Sequence, residues 1–208
     1  MNSPPLSALV RDVIKDPMAA CTGRCLAVAR LAARGRRAVN AVLRAMRGPF
    51  PKDQHPRDVM EALGAVLHEV AKRNPRPLID VLQRKKATED PQLVTIVWAL
   101  GDAAPDRVIG PLSVAAKHRN KTVRWAAASA LARLRSELAC DALLEALRDK
   151  SSAVQFVAVE AMQACEVFRT PKAIEPLKRI AGNARIQKQS PGLWASANQL
   201  LARIAEFP

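Results

Sequence analysis

The sequence contains few aromatic residues and no tyrosine, since Phe, Trp and Tyr together make up only 3% of its 208 residues. Ala, Leu, Val and Arg are abundant instead, a composition that favours helices and disfavours sheets. Hydrophobic residues make up 49% of the chain, which is enough for one domain with its own core. We therefore expect a single all-α domain spanning residues 1–208.

The sequence also lacks any uncharged apolar run of about 18 residues, and its first residues lack the basic and apolar regions of a secretory signal. It has only four cysteines, which lie in Ala-rich, helical surroundings: Cys21, Cys25, Cys140 and Cys165. Such surroundings are not those of a disulfide-stabilised secreted domain. We expect reduced, mostly packed cysteines in a cytoplasmic protein that does not enter a membrane.

One twelve-residue segment recurs along the chain. VRWAAASALARL (123–134) is matched by QLVTIVWALGDA (92–103) and by VQFVAVEAMQAC (154–165). Looser copies lie at 23–34, 59–70 and 193–204, and the starts of consecutive copies are 31 to 39 residues apart. Between the copies lie other amphipathic segments, bounded by Pro, Gly, Asn, Asp or Ser. Each unit is therefore predicted to be helix A, a turn and helix B, and six such pairs predict an α-solenoid.

Helix B follows the pattern V-R-x-x-A-A-x-A-L-G/A-x-L, seen best from Val123 to Leu134 and again in Ala99, Leu100 and Gly101. This pattern resembles HEAT repeats, especially the short kind found in phycobilisome-lyase-like proteins. The resemblance implies a right-handed superhelix whose B helices line the concave surface. It also implies a binding scaffold, although it does not identify the partner.

The third, seventh and tenth positions of helix B point away from the apolar face when successive residues advance by about 100°. Three of the seven aromatic residues fall in this set, on three successive repeats: Trp98, Trp125 and Phe156. With Val94 they predict an apolar groove floor, to which Glu61 and Glu160 would add polar contacts. Alternatively, Trp98 or Trp125 folds sideways against an adjacent B helix and is structural.

The chain has a formal net charge of +14, which favours an anionic partner. The turns that join helix A to helix B (44–58, 84–92, 117–124, 148–154 and 178–192) hold seventeen lysines and arginines against five acids. They predict a basic rim, in which we include Arg84, Lys85, Lys86, Lys117, Arg119, Lys121, Arg124, Lys150, Lys178 and Arg179. Alternatively, these cations only stabilise helix C-termini, and the arginine at the Arg124 position often has a structural role between HEAT repeats.

The sequence shows no constellation typical of an enzyme. It has no Gly-rich phosphate loop, and its three histidines (His55, His68 and His118) lie in different repeats. Cys21 and Cys25 have no His or further Cys nearby to complete a zinc site, so core packing is the better interpretation. We expect no catalytic residue, no metal and no cofactor.

These features favour a non-catalytic scaffold that binds a protein or peptide. The alternative is a nucleic-acid-binding protein that uses the basic rim, including an enzyme similar to the HEAT-like alkylpurine DNA glycosylases. That similarity is one of residue types only, namely Trp98, Asp102, Trp125 and the rim. Steep loss of affinity with salt would favour nucleic acid, whereas dependence on the aromatic residues would favour a protein partner.

Overall fold

The computed structural model describes residues 4–84 and 92–205. Within those ranges the chain forms fourteen α-helices, three short 3-10 helices and no strand, which confirms the all-α class. Its internal contacts divide it into two compact units, unit 1 (Met1–Val108) and unit 2 (Ile109–Pro208). None of the helices in the described part of the chain combines the length and apolar character needed to cross a bilayer.

Unit 1 alternates the predicted A and B helices. The A helices are α1 (Leu6–Lys15), α4 (Arg36–Ala45) and α6 (Arg76–Arg84). The B helices are α3 (Leu26–Ala32), α5 (Pro56–Arg73) and α7 (Gln92–Leu100), and the short α2 (Pro17–Cys21) precedes α3. In this unit α5 packs between α3 and α7, and α4 packs between α1 and α6, so A and B helices form separate layers.

Unit 2 continues the same alternation after α8 (Pro105–Ala115), the A helix that contains the boundary. Its B helices are α9 (Lys121–Leu134), α11 (Ser152–Ala164) and α14 (Pro191–Ala205). Its further A helices are α10 (Cys140–Ala146) and α12 (Ile174–Ala181), and the short α13 (Ala184–Gln189) lies before α14. Helix α11 packs between α9 and α14, as expected for B helices of consecutive repeats.

Helical periodicity explains how each element buries one face. On α4, Ala38, Val39, Val42 and Leu43 are buried, whereas Arg36, Arg37, Asn40 and Arg44 are exposed. On α9, the Asn120 side chain accepts a hydrogen bond from the Thr122 N–H (2.8 Å) and so fixes where the helix begins. Val123, Ala127 and Leu131 follow each other at intervals of about one turn and form the buried face of α9.

Two short helices lie in segments where the repeat pattern predicts only connections. Helix α2 begins with Pro17, and the Asp16 carboxylate accepts from the Ala19 N–H (3.0 Å). Helix α13 is capped by Asn183, whose side chain accepts from the N–H groups of Arg185 (2.9 Å) and Ile186 (3.2 Å). Capping at the N-terminus allows helices too short for apolar periodicity to form.

Candidate functional site

In each unit, the third, seventh and tenth positions of the B helices form the first part of the candidate site, and we call them the B-helix face of that unit. The third positions of the six B helices are considered first. None of the six is buried, although each B helix packs against at least one neighbouring B helix of its unit. They are Cys25, Glu61, Val94, Trp125, Phe156 and Ala195. The predicted outward direction of this position therefore agrees with the observed burial, whereas binding at it stays a prediction.

In unit 2 two aromatic side chains lie on the B-helix faces of neighbouring helices. Trp125 on α9 is partly exposed, and Phe156 on α11 is 38% exposed, whereas Ala158 and Val159 of the same helix are fully buried. A Cβ atom added at Gly192 would lie 4.0 Å from Phe156 Cε2, so this ring approaches the first turn of α14. The ring keeps a solvent-exposed area that a partner can cover.

Polar side chains connect the same faces of α11 and α14. Ser196 Oγ donates to Glu160 Oε1 (3.0 Å), and Gln163 Nε2 donates to the Ser196 carbonyl (2.9 Å). Gln163 also donates to Gln199 Oε1 (3.2 Å). These bonds hold Glu160 and Gln163 in place beside Phe156 and so give the exposed aromatic area an ordered polar border.

In unit 1 the B-helix face carries charged pairs. Glu61 accepts from Arg57 Nε (2.9 Å) on the same helix, while Val94 and Trp98 on α7 are partly exposed. His68 Nδ1 donates to Asp102 Oδ2 (2.5 Å), which joins α5 to the turn after α7. The sequence alone does not predict this pair, because its members lie 34 positions apart, in two successive repeats.

Most of the described side chains of the basic rim are exposed to solvent. All of its described members except Arg124 are exposed: Arg84, Lys117, Arg119, Lys121, Lys150, Lys178 and Arg179. Lys178 Nζ lies 3.4 Å from Glu175 Oε1 in an exposed pair that contributes little. Lys85 and Lys86 lie outside the described residues.

Arg124 is a correction to the predicted rim, because its side chain is buried. Its Nε and Nη2 donate to the two carboxylate oxygens of Asp149 at 2.6 and 3.0 Å. Its Nη1 donates to the carbonyls of His118 and Arg119, both at 2.9 Å. All three nitrogens of its guanidinium group are engaged, and only 5% of the residue is exposed. Arg124 is therefore a structural residue and is not available to bind an anion.

The Asp149 carboxyl is held ionised by this arrangement. Burial opposes its ionisation, but hydrogen bonds from Arg124 and from the Ser151 N–H (2.8 Å), with the charges of Arg124 and Lys150, keep its pKa below the ordinary value. The sequence signal for this pair was the single acid of the 148–154 turn, which counting charges could not assign to a partner.

The cysteines only partly match the expected packing. All four are free thiols, and Cys21 is exposed, so the prediction that Cys21 and Cys25 both pack in the core is wrong for Cys21. The reason is that Cys21 is the last residue of α2, whose only buried residue is Ala20. In the described ranges no group of three or more His, Cys, Asp and Glu side chains is arranged to hold a metal ion.

Part of the chain matches a known family. Residues 75–163 match the family model described as HEAT repeats, which covers the strongest copies of the repeat. The phycobilisome-lyase-like kind stays a prediction. A solved structure described as an engineered protein shares 18% identity with this chain over 98% of each, with a TM-score of 0.43, too low to support an inference. None of the curated proteins shows significant similarity to the chain.

Proposed function

Because residues 75–163 match the family model described as HEAT repeats, we propose that this chain is a non-catalytic scaffold that binds a protein or peptide partner on its B-helix face. The proposal is supported best by Trp125 and Phe156, which stay solvent-accessible on two helices that pack directly against each other. Aromatic side chains presented by a rigid surface are typical interface anchors, because they bury a large area with little loss of conformational entropy.

In this proposal the partner is a segment with apolar side chains, for instance an amphipathic helix. Phe156 and Trp125 would contact its apolar side chains, and Glu160 would pair with a polar or basic residue at the edge. Trp98, Val94 and Glu61 hold the corresponding positions of unit 1 and are proposed as its contacts there. The four free thiols suit a reducing compartment, and we propose the cytoplasm.

The test combines affinity capture with matched variants. The tagged wild type is used to capture partners from cell extract, and the enriched protein is then purified and titrated against the wild type, Trp125→Ala and Phe156→Ala. Each variant is expected to weaken binding by about tenfold or more, the effect of removing an interface anchor. The matched control is Leu138→Ala, which removes a side chain 68% exposed outside the B-helix face and should leave binding unchanged.

Stability measurements separate an anchor from a core residue. Trp125→Ala should lower the free energy of unfolding by clearly less than about 3 kcal/mol, because this side chain is partly exposed. Trp194→Ala should also lower it, because the Trp194 Nε1–H donates to the Ala181 carbonyl (2.8 Å). A loss of about 3 kcal/mol in Trp125→Ala would be that of a packed tryptophan, and the side chain would then belong to the structure and not to the interface.

The second candidate function is nucleic-acid binding along the rim, and the exposure of Lys117, Lys121 and Lys150 favours it. Tryptophan fluorescence is titrated with single- and double-stranded DNA and RNA at two salt concentrations. A response that weakens steeply with salt and is lost when Lys117 and Lys121 are replaced by Glu would support this function. Base release from alkylated duplex would then test the glycosylase-like activity. A response indifferent to salt and to those lysines would contradict it.

A further inference from the structure

A cavity of about 450 Å³ in unit 1 lies between the C-terminal halves of α4 and α6, two A helices that pack against each other. Its walls combine two apolar side chains with one amide and three guanidinium groups. They are formed by Asn40, Leu43, Arg44, Arg47, Val81 and Arg84. The volume is in the range of cavities that hold small molecules. No acidic residue lines the described walls of this cavity.

The arginines at the two ends of this helix pair differ in their ion-pair partners. Towards the N-terminal end of α4, Arg36 pairs with Asp80 of α6, and Arg76 Nε also lies 3.1 Å from the same carboxylate. At the cavity end, Arg44 donates only a weak bond to the Asn40 carbonyl (3.3 Å), and among the described residues neither Arg47 nor Arg84 has an ion-pair partner. The cavity therefore concentrates three cations that the described part of the fold does not neutralise.

Helix termini do not cancel this charge. Each helix C-terminus carries about half a negative charge, so α4 and α6 together contribute about −1 against the +3 of the arginines. Counted over the described residues, a net charge of about +2 is left at the mouth of the cavity, where low-dielectric walls strengthen its field. Stabilisation of two helix ends therefore explains part of the arginine cluster, and the remainder is available to an anion.

We propose that this cavity binds a small phosphorylated molecule, whose phosphate group accepts hydrogen bonds from Arg44, Arg47 and Arg84. Guanidinium groups match phosphate oxygens with paired hydrogen bonds, which makes arginine well suited to this anion. Three of them around one cavity fit a terminal phosphate or a diphosphate, which carries two or more charges. Leu43 and Val81 offer an apolar wall to the rest of the molecule. The site lies on A helices and does not depend on the function proposed for the B-helix face.

A nucleic-acid backbone fits these observations less well. Its phosphates carry one charge each and are spread along the chain, so they are matched best by cations spaced along a surface. Here the three arginines line the walls of one cavity. Binding of duplex DNA is therefore an outcome that the experiment has to distinguish from the proposal.

The experiment measures binding of pyrophosphate and of ATP to the full chain by isothermal titration calorimetry. The wild type is compared with the triple variant Arg44→Gln, Arg47→Gln, Arg84→Gln. The matched control is Arg11→Gln, Arg30→Gln, Arg37→Gln, which removes the same charge from exposed arginines of unit 1 outside the cavity. Thermal unfolding followed by circular dichroism checks that both triple variants fold.

We expect the wild type to bind pyrophosphate, the cavity variant to lose at least about tenfold in affinity, and the control to stay within about twofold. ATP should bind at least as tightly as pyrophosphate and should compete with it. Absence of pyrophosphate binding to the wild type would overturn the proposal. So would an equal loss in both triple variants, or a duplex DNA fragment that binds more tightly than ATP and displaces pyrophosphate, since each would indicate a diffuse response to charge.

Discussion

Arginines near the end of helix A and at the start of helix B have two contrasting environments. In unit 2, Arg124 is buried, and its side chain donates hydrogen bonds to the Asp149 carboxylate and to two backbone carbonyls. In unit 1, Arg44, Arg47 and Arg84 line a cavity with no described carboxylate beside them. The same residue type at comparable points of the repeat is thus part of the structure in one unit and available to a ligand in the other.

This contrast shows that net charge does not report available charge. The +14 of the chain counts Arg124 equally with Arg44. Within the described residues, however, Arg44 donates only to the Asn40 carbonyl, whereas all three guanidinium nitrogens of Arg124 donate. What separates them is whether an acid lies within hydrogen-bonding reach in the folded chain. Substitutions of these arginines and of their partners should therefore have very different effects on stability.

The largest effect is expected for Arg124→Ala. Removing this guanidinium leaves a mostly buried carboxylate and two carbonyls without their donor, which should lower the free energy of unfolding by about 3 to 5 kcal/mol. Urea unfolding followed by circular dichroism measures the loss, with the exposed Arg37→Ala as the control. A loss below about 1 kcal/mol would mean that the pair behaves like a surface salt bridge, and the contrast between the units would fail.

A smaller, pH-dependent effect is expected for Asp149→Asn. The folded protein lowers the pKa of Asp149, so the carboxylate contributes stability above the ordinary pKa of an aspartate and loses it as the pH falls through the lowered value. We expect the variant to be about 2 kcal/mol less stable at about pH 7, because an amide accepts weaker hydrogen bonds from a guanidinium.

The difference between wild type and Asp149→Asn should narrow when urea unfolding is repeated at about pH 3, since protonation begins to remove the same charge in the wild type. A difference that is the same at both values would show that the charge of Asp149 is not what stabilises Arg124.

An intermediate effect is expected at the neutralised end of the α4 and α6 pair. Asp80→Asn removes the carboxylate shared by Arg36 and Arg76, two side chains that are more than half exposed. The loss should be about 0.5 to 1 kcal/mol and should shrink when salt is added, because exposed ion pairs are screened. Asp12→Asn, at an exposed acid of α1, provides the matched control in the same urea titrations.

The smallest effect is expected for Arg44→Ala, at the cavity end of the same pair. Its guanidinium has only the weak bond to the Asn40 carbonyl and the attraction of the helix C-terminus, so the loss should be at most about 0.5 kcal/mol. Unfolding in urea at low salt provides the most sensitive measurement. A loss above about 2 kcal/mol would show that Arg44 is needed for folding and would remove the contrast with Arg124.

The sequence was sufficient to predict most of the fold because helical periodicity repeats in every unit. The predicted copy at 123–134 falls within Lys121–Leu134. The copy at 154–165 extends only one residue beyond the end of Ser152–Ala164. Helices α2 and α13 were missed because five or six residues are too few for an apolar period, and they depend on capping by Asp16 and Asn183. The division into two units leaves no trace in the repeat pattern itself.

The candidate sites were less predictable because they depend on pairs of side chains that are far apart in the sequence. Position in the helical period was enough to predict that Phe156 is exposed. It could not indicate that Arg124 is neutralised by a residue 25 positions later, or that His68 meets Asp102. Likewise, Arg44 and Arg47 were counted in a basic turn, but only the structure brings them together with Arg84 around one cavity.

The hydrogen bonds of Arg124 also bear on how the repeats of unit 2 unfold. Through the carbonyls of His118 and Arg119 they reach the turn before α9, and through Asp149, which accepts from the Ser151 N–H, they reach the start of α11. In repeat proteins, the coupling between adjacent repeats decides whether one repeat can melt alone. Breaking this arginine's contacts is a shared step for both segments, so amide protons of α9 and α11 should exchange as one cooperative unit.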